Sequence, residues 1–196
     1  MCKIINYSVT TKRDFAPPPS KKKMSQFIQA LSIFVAYYPE HPQPWQMKAM
    51  HQFLRIFFLV LDYPHLTMPK HRGRINRQVV KSRTQLSHWL ERSVKLNIWY
   101  EAALTLQSPE AWGPIIWRFL HAVSDLFCFP KRRLFVLLLV ILPDLLPCPK
   151  CARSFRQLLL TNQVGRRPVR TKGAFIALVK KLHLQVSAHV NGAKKK

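Results

Sequence analysis

Cys148-Pro149-Lys150-Cys151 sets two thiols three positions apart, the spacing at which a pair of cysteines can open and close a disulfide. Pro143 and Pro147 end the apolar run Leu134 to Leu142, so Cys148 falls in the first turn of a helix expected over 148–160. The partial positive charge of a helix N-terminus, joined by Lys150, Arg153 and Arg156, favours a thiolate there and makes the pair reactive. A CxxC is also half of a zinc site. His183 and His189 are available as the other two ligands, although the stretch from Cys151 to His183 is far longer than in a compact finger. A thioredoxin-type reading wants the motif after a strand in a βαβ unit, and no such alternation precedes it.

The elements that must hold this pair read as helices. At 196 residues, 48% hydrophobic and 11% aromatic, the chain can bury a core for one domain or two small ones. Only five glycines occur, and long segments rich in Leu, Phe, Trp, Lys and Arg favour helix over strand, so an all-α fold is expected. Helical patterns run over 24–38, 45–61, 77–106, 111–128, 132–142, 148–160 and 171–189. Residues 1–23, with Pro17-Pro18-Pro19 and Lys21-Lys22-Lys23, read as a flexible basic arm. Ser108-Pro109-Glu110 is a helix start: a Ser cap, Pro at the first position and an acid in the first turn. The expected units are therefore the arm 1–23, a helical unit 24–107 and a four-helix bundle 108–193.

Thirty-two Lys and Arg against eight Asp and Glu give a net charge of +24. The excess is spread, with sixteen basic and five acidic residues before Ser108 and sixteen and three after it. Such a balance attracts nucleic acid, anionic membranes or acidic proteins. No zinc-finger, homeodomain or RNP-type signature selects among them, so non-specific nucleic-acid contact and a merely solvated positive face both stay open. The longest uncharged apolar run, Leu134 to Leu142, is nine residues, against the roughly 20 needed to cross a bilayer. The first fifteen residues hold no continuous apolar stretch, so neither a membrane span nor secretion is expected. Four cysteines, at 2, 128, 148 and 151, are too few for a disulfide-stapled scaffold.

Gly113-Pro114-Ile115-Ile116-Trp117-Arg118-Phe119-Leu120-His121, followed by Leu146-Pro147-Cys148-Pro149-Lys150-Cys151-Ala152, resembles the Erv/ALR family of FAD-dependent sulfhydryl oxidases. In that family a Gly, a Trp and a His at steps of four precede a Tyr-Pro-Cys-x-x-Cys-Ala element, and a last helix carries Phe, Trp and His-Asn-x-Val-Asn. Phe175, Leu178, His183, Leu184, Val186 and Ser187 fall on those last positions, with Leu178 in place of the Trp and Leu184 and Ser187 in place of both Asn. Covering residues 109 to about 190, the resemblance implies Cys148 and Cys151 as the catalytic pair, Cys151 against the flavin and Cys148 facing incoming thiols. It implies FAD contacts at Gly113, Trp117, His121, His183, Val186 and Ser187, thiol-containing proteins as substrates, oxygen as electron acceptor, and a homodimer or an internal pseudo-dimer. Spacing alone puts Trp117 and His121 on one helical face, which an ordinary core pair would also satisfy.

The first half reads as a degraded copy of the same unit. Tyr37-Tyr38-Pro39 and Met50-His51-Gln52-Phe53 resemble the family's linker and second helix, and Tyr63-Pro64 stands where Tyr-Pro-Cys would be. His65 and Met68 replace the cysteines, Ser32 replaces the His, and Trp89 stands at the place of Leu178. Ser32 to His121 and Trp89 to Leu178 are both offset by 89 residues, and Pro64 to Pro147 by 83, as an internal repeat predicts, while two unrelated helical pairs sharing apolar periodicity stay open as the alternative. An inactive copy beside an active one is similar to the baculovirus-type sulfhydryl oxidases, which implies a viral protein working in the host nucleus or cytoplasm, or in the virion. Cys128, between two Phe residues, reads as a buried thiol, and Cys2 as a lone one. The alternative function is a zinc-stabilised basic protein that binds nucleic acid or serves as a structural viral component.

Overall fold

The computed structural model describes residues 21–61, 80–92, 94, 96, 98 and 100–193, the side chains of residue 21 and of 189–193 excepted. Cys2, Tyr63-Pro64-His65, Met68 and the terminal lysines lie outside the described residues, as does the side chain of His189. All elements among the described residues are helical: α1 (Lys21–Ala36), α2 (Pro44–Leu61), α3 (Arg83–Arg92), α4 (Tyr100–Ala103), α5 (Pro109–Asp125), α6 (Arg132–Ile141), α7 (Pro149–Thr161) and α8 (Lys172–Ala193). The all-α expectation therefore holds. No helix among them is long and apolar enough to cross a membrane.

Local chemistry explains the helix starts. Ser108 Oγ accepts from the Ala111 N–H at 3.3 Å, with Pro109 behind it, and Thr171 Oγ1 accepts from the Ala174 N–H at 3.1 Å. Pro143 tightens the end of α6 into a 3-10 turn, Leu142–Asp144, which turns the chain toward α7.

Two expectations need correction. The single helix over 77–106 is two, α3 and α4, because Val94, Leu96 and Ile98 lie between them outside any helix, with Leu96 and Ile98 buried. Their apolar period is two rather than the 3.6 of a helix. Helix α1 begins at Lys21, inside the segment assigned to the arm, and Lys23 Nζ pairs with Asp125 Oδ2 at 3.0 Å. Lysine is a good helix former, and that partner on α5 draws the Lys run into the fold.

Helices α1 and α5 pack together, as do α2 and α6. Both pairs are antiparallel. Lys23 at the start of α1 meets Asp125 at the end of α5, while Tyr37 just past α1 donates its hydroxyl to Leu106 O just before α5, at 2.6 Å. Lys131 Nζ, before α6, donates to Leu59 O near the end of α2 at 3.0 Å. A single apolar cluster runs through both halves of the chain. At its centre Phe119 of α5, fully buried, meets the rings of Phe27, Phe34, Phe53 and Phe57 at centroid distances of 5.9 to 6.4 Å.

Replacing Phe119 by Ala empties a site that no neighbour can fill without breaking several ring contacts. The expected loss is about 3–5 kcal/mol of unfolding free energy by urea titration, and a loss below about 1 kcal/mol would show that the halves are not joined through this ring.

Candidate active site

Cys148 and Cys151 are joined by a disulfide, their Cα atoms 5.1 Å apart. The expectation that Cys148 lies in the first helical turn shifts by one position: it is the N-cap of α7, with extended backbone (φ −104°, ψ 112°), and Pro149 opens the helix. Its Sγ accepts from the Cys151 N–H at 3.1 Å, so sulfur stands where Ser or Asp oxygen usually caps. Both cysteines are half-buried and rest against the apolar core. Lys150 and Arg153 are exposed beside them, and the Arg156 guanidinium pairs with the Asp144 carboxylate.

Three of the predicted residues come together on the seam between α5 and α8. The Trp117 and His183 rings stack with centroids 4.3 Å apart and planes 13° from parallel. His121 Nε2 lies 3.0 Å from His183 Nδ1, one nitrogen donating and the other accepting according to tautomer. Gly113, Trp117 and His121 occupy successive turns of α5 and are all half-buried. On α8, His183, Val186 and Ser187 fall on one half-buried stripe, with Val186 also touching the core.

Phe155 links the two groups. It lies four residues after Cys151 on α7, hence on the same side of that helix, and its buried ring meets Trp117 edge-on at 6.0 Å. The spacing of Phe155 from Cys151 was the available signal for this role, which the sequence reading did not assign. Cys128 is a free, half-buried thiol set against the core, and the Trp89 ring meets Phe58 edge-on at 6.1 Å in the first half. Three of the ligands that the zinc alternative would use are engaged otherwise: both sulfurs are in the disulfide and His183 faces His121. Among the described residues no group of three or more His, Cys, Asp or Glu could hold a metal ion.

A flavin or adenine ring asks for flat apolar faces, ring nitrogens to bond with, and room. Trp117 and His183 supply the faces, and the histidine pair supplies the nitrogens. At Gly113 an added Cβ would meet nothing within 4 Å, so the helix surface is open at that point. These side chains have the chemistry that such a group asks for. Comparison with known proteins adds nothing to this geometry, since no family model, no curated protein and no solved structure matches the chain.

Both imidazoles titrate below their ordinary value of 6.5. Burial is the main cause for each; Lys180 adds to the effect on His121 while Asp125 opposes it, and His121 adds to it on His183. A base whose folded value is depressed binds its proton more readily in the unfolded chain, so unfolding takes up protons below the unfolded value. Stability is therefore full above pH 6.5 and declines as the pH falls through that value. Urea midpoints taken between pH 7.5 and 5.5 should fall, and the double variant H121Q/H183Q should flatten that slope; an unchanged slope would remove the pair as its source.

Proposed function

We propose that the chain is a flavin-linked thiol oxidase that forms disulfides in other proteins. The observation that carries this reading is that Phe155, one turn beyond Cys151 on α7, meets Trp117 of the Trp117, His121 and His183 cluster. Trp117, His121 and His183 would hold FAD, with Gly113 keeping the α5 surface open and Val186 and Ser187 on the α8 side. When bound, FAD supplies the two-electron chemistry that restores the disulfide and reduces oxygen to hydrogen peroxide.

The chain's own residues do the rest. A substrate thiolate attacks Cys148 Sγ, the bond to Cys151 breaks, and Cys151 departs as a thiolate, leaving substrate and Cys148 in a mixed disulfide. A second substrate thiolate attacks the substrate sulfur of that bond, and Cys148 leaves as a thiolate. The substrate has then lost two electrons and two protons; the electrons rest on the cysteine pair. The Cys151 N–H and the start of α7 stabilise negative charge on Cys148 Sγ as it develops, and Lys150 and Arg153 add to that field. The histidine pair, held neutral near pH 7, keeps one ring nitrogen as donor and one as acceptor toward a bound ring.

The antiparallel packing of α1 on α5 and of α2 on α6 supports a pseudo-dimer of like halves within one chain, and the offset of 89 residues supports it independently. In the same reading the +24 charge serves contact with nucleic acid in the host nucleus or cytoplasm, or in the virion. The zinc-stabilised alternative loses two ligands for as long as Cys148 and Cys151 are joined.

Purified protein should be yellow and should consume oxygen when given dithiothreitol. Cys151→Ser should abolish oxygen uptake while keeping the flavin absorbance, and Trp117→Ala should lose the absorbance itself. Colourless wild-type protein that consumes no oxygen after incubation with FAD would end the proposal.

A further inference from the structure

An open cavity of about 460 Å³ lies where the first half of the chain faces the start of α7. Pro147 and Pro149, the neighbours of Cys148 on either side, line it, so a chain lying there passes next to the residue that bears the cap sulfur. Tyr37 and Trp45, from the link between α1 and α2 and the first turn of α2, form the opposite wall. Trp45 is 55% exposed, a large apolar surface turned to solvent at the cavity. The rim holds Arg153 and Arg156; Arg156 is matched by Asp144, whereas Arg153 has no carboxylate partner among the described residues.

We infer that this groove docks the thiol substrate, and that the substrate is an extended protein segment whose cysteine is flanked by acidic and apolar side chains. The inference rests on the thiol-oxidase reading and names the substrate class of that same site. Proline and aromatic walls suit an extended backbone, which needs surfaces to lie on rather than partners for a helix or sheet ladder. The cavity falls within the range of about 300–1,000 Å³ typical of binding clefts, enough for a few residues and larger than a small thiol requires. Charge selects among peptides. An acidic segment answers unpaired Arg153, the nearby Lys150 and the +24 of the whole chain, while the chain's own basic residues 1–20 would meet repulsion. The first half, which has no CxxC, thus contributes a wall of the substrate site.

Two fluorescein-labelled peptides of equal length, one rich in Glu and Leu and one in Lys and Leu, each with Ser in place of Cys, would be titrated by anisotropy at low salt. The acidic peptide should bind at least about fivefold tighter, and Arg153→Glu should cancel that preference, the size expected of one or two surface charge pairs. Trp45→Ala should weaken both peptides alike. Neither exposed position supports the core, and the far-UV circular dichroism of both variants should match that of the unaltered protein. Equal affinity for the two peptides, or binding indifferent to both substitutions, would overturn the inference. So would tighter acidic binding on deletion of residues 1–20 together with loss of the Arg153 dependence, which would make the arm the occupant. Sedimentation showing a dimer that Trp45→Ala dissociates would assign the face to a second copy. Because the peptides carry no thiol, binding with no oxidase activity would sink the proposed reaction and leave the groove standing.

Discussion

Helix α5 must bury two faces against two different surroundings, and the arrangement of the chain follows from that demand. Ile116, Phe119 and Val123 are buried in the cluster shared with the first half, and Phe119 is ringed by aromatics of α1 and α2. Trp117 and His121 lie around the helix from that stripe and remain half-buried against α8. A helix with an apolar surface wider than one stripe cannot stand at the edge of a bundle. It becomes the partition between the two halves, rigid on one side and chemically furnished on the other.

That position explains how a half without a cysteine pair stays integral to the molecule. Helices α1 and α2 cover α5 and α6, so removing them would expose Phe119 and its neighbours to water at the cost of a large core. The same half is anchored elsewhere by polar contacts. The Thr84 hydroxyl donates to Glu40 at 2.8 Å and, with a smaller contribution from the paired Arg83, holds that carboxyl below its usual value; both contacts tie the α1–α2 link to α3. Tyr38, buried beside that link, donates to Val80 O, and burial pushes its phenol well up. The wall containing Tyr37 and Trp45 is thus held from behind.

Much of this was legible in the residues, and the limits are physical. Low glycine content and long apolar periods announced helices, and Ser108-Pro109-Glu110 marked the start of α5. The four-residue steps from Gly113 to Trp117 to His121 put those three on one face, and the CxxC spacing alone allowed the disulfide. What periodicity could not resolve was the partner of each face: Phe155 reaching Trp117, or His183 meeting His121 at hydrogen-bond distance, depends on how helices distant in sequence cross. The break between α3 and α4 was visible as a change of period at Val94, Leu96 and Ile98, yet no Gly or Pro marked it. The groove beside Cys148 was beyond reach, because its walls come from residues some hundred positions apart that only the packing of α1 and α2 brings together.

The contact between His121 and His183 has a further chemical meaning. A neutral imidazole carries one N–H, so a single proton lies between Nε2 of one ring and Nδ1 of the other, and its location dictates the state of both outer nitrogens. If His121 donates, its Nδ1 is a bare lone pair while His183 keeps a hydrogen at Nε2; if His183 donates, the polarity of both outer atoms reverses. The two rings therefore behave as one reversible dipole rather than two independent groups. Whatever molecule touches either end chooses the orientation for the other.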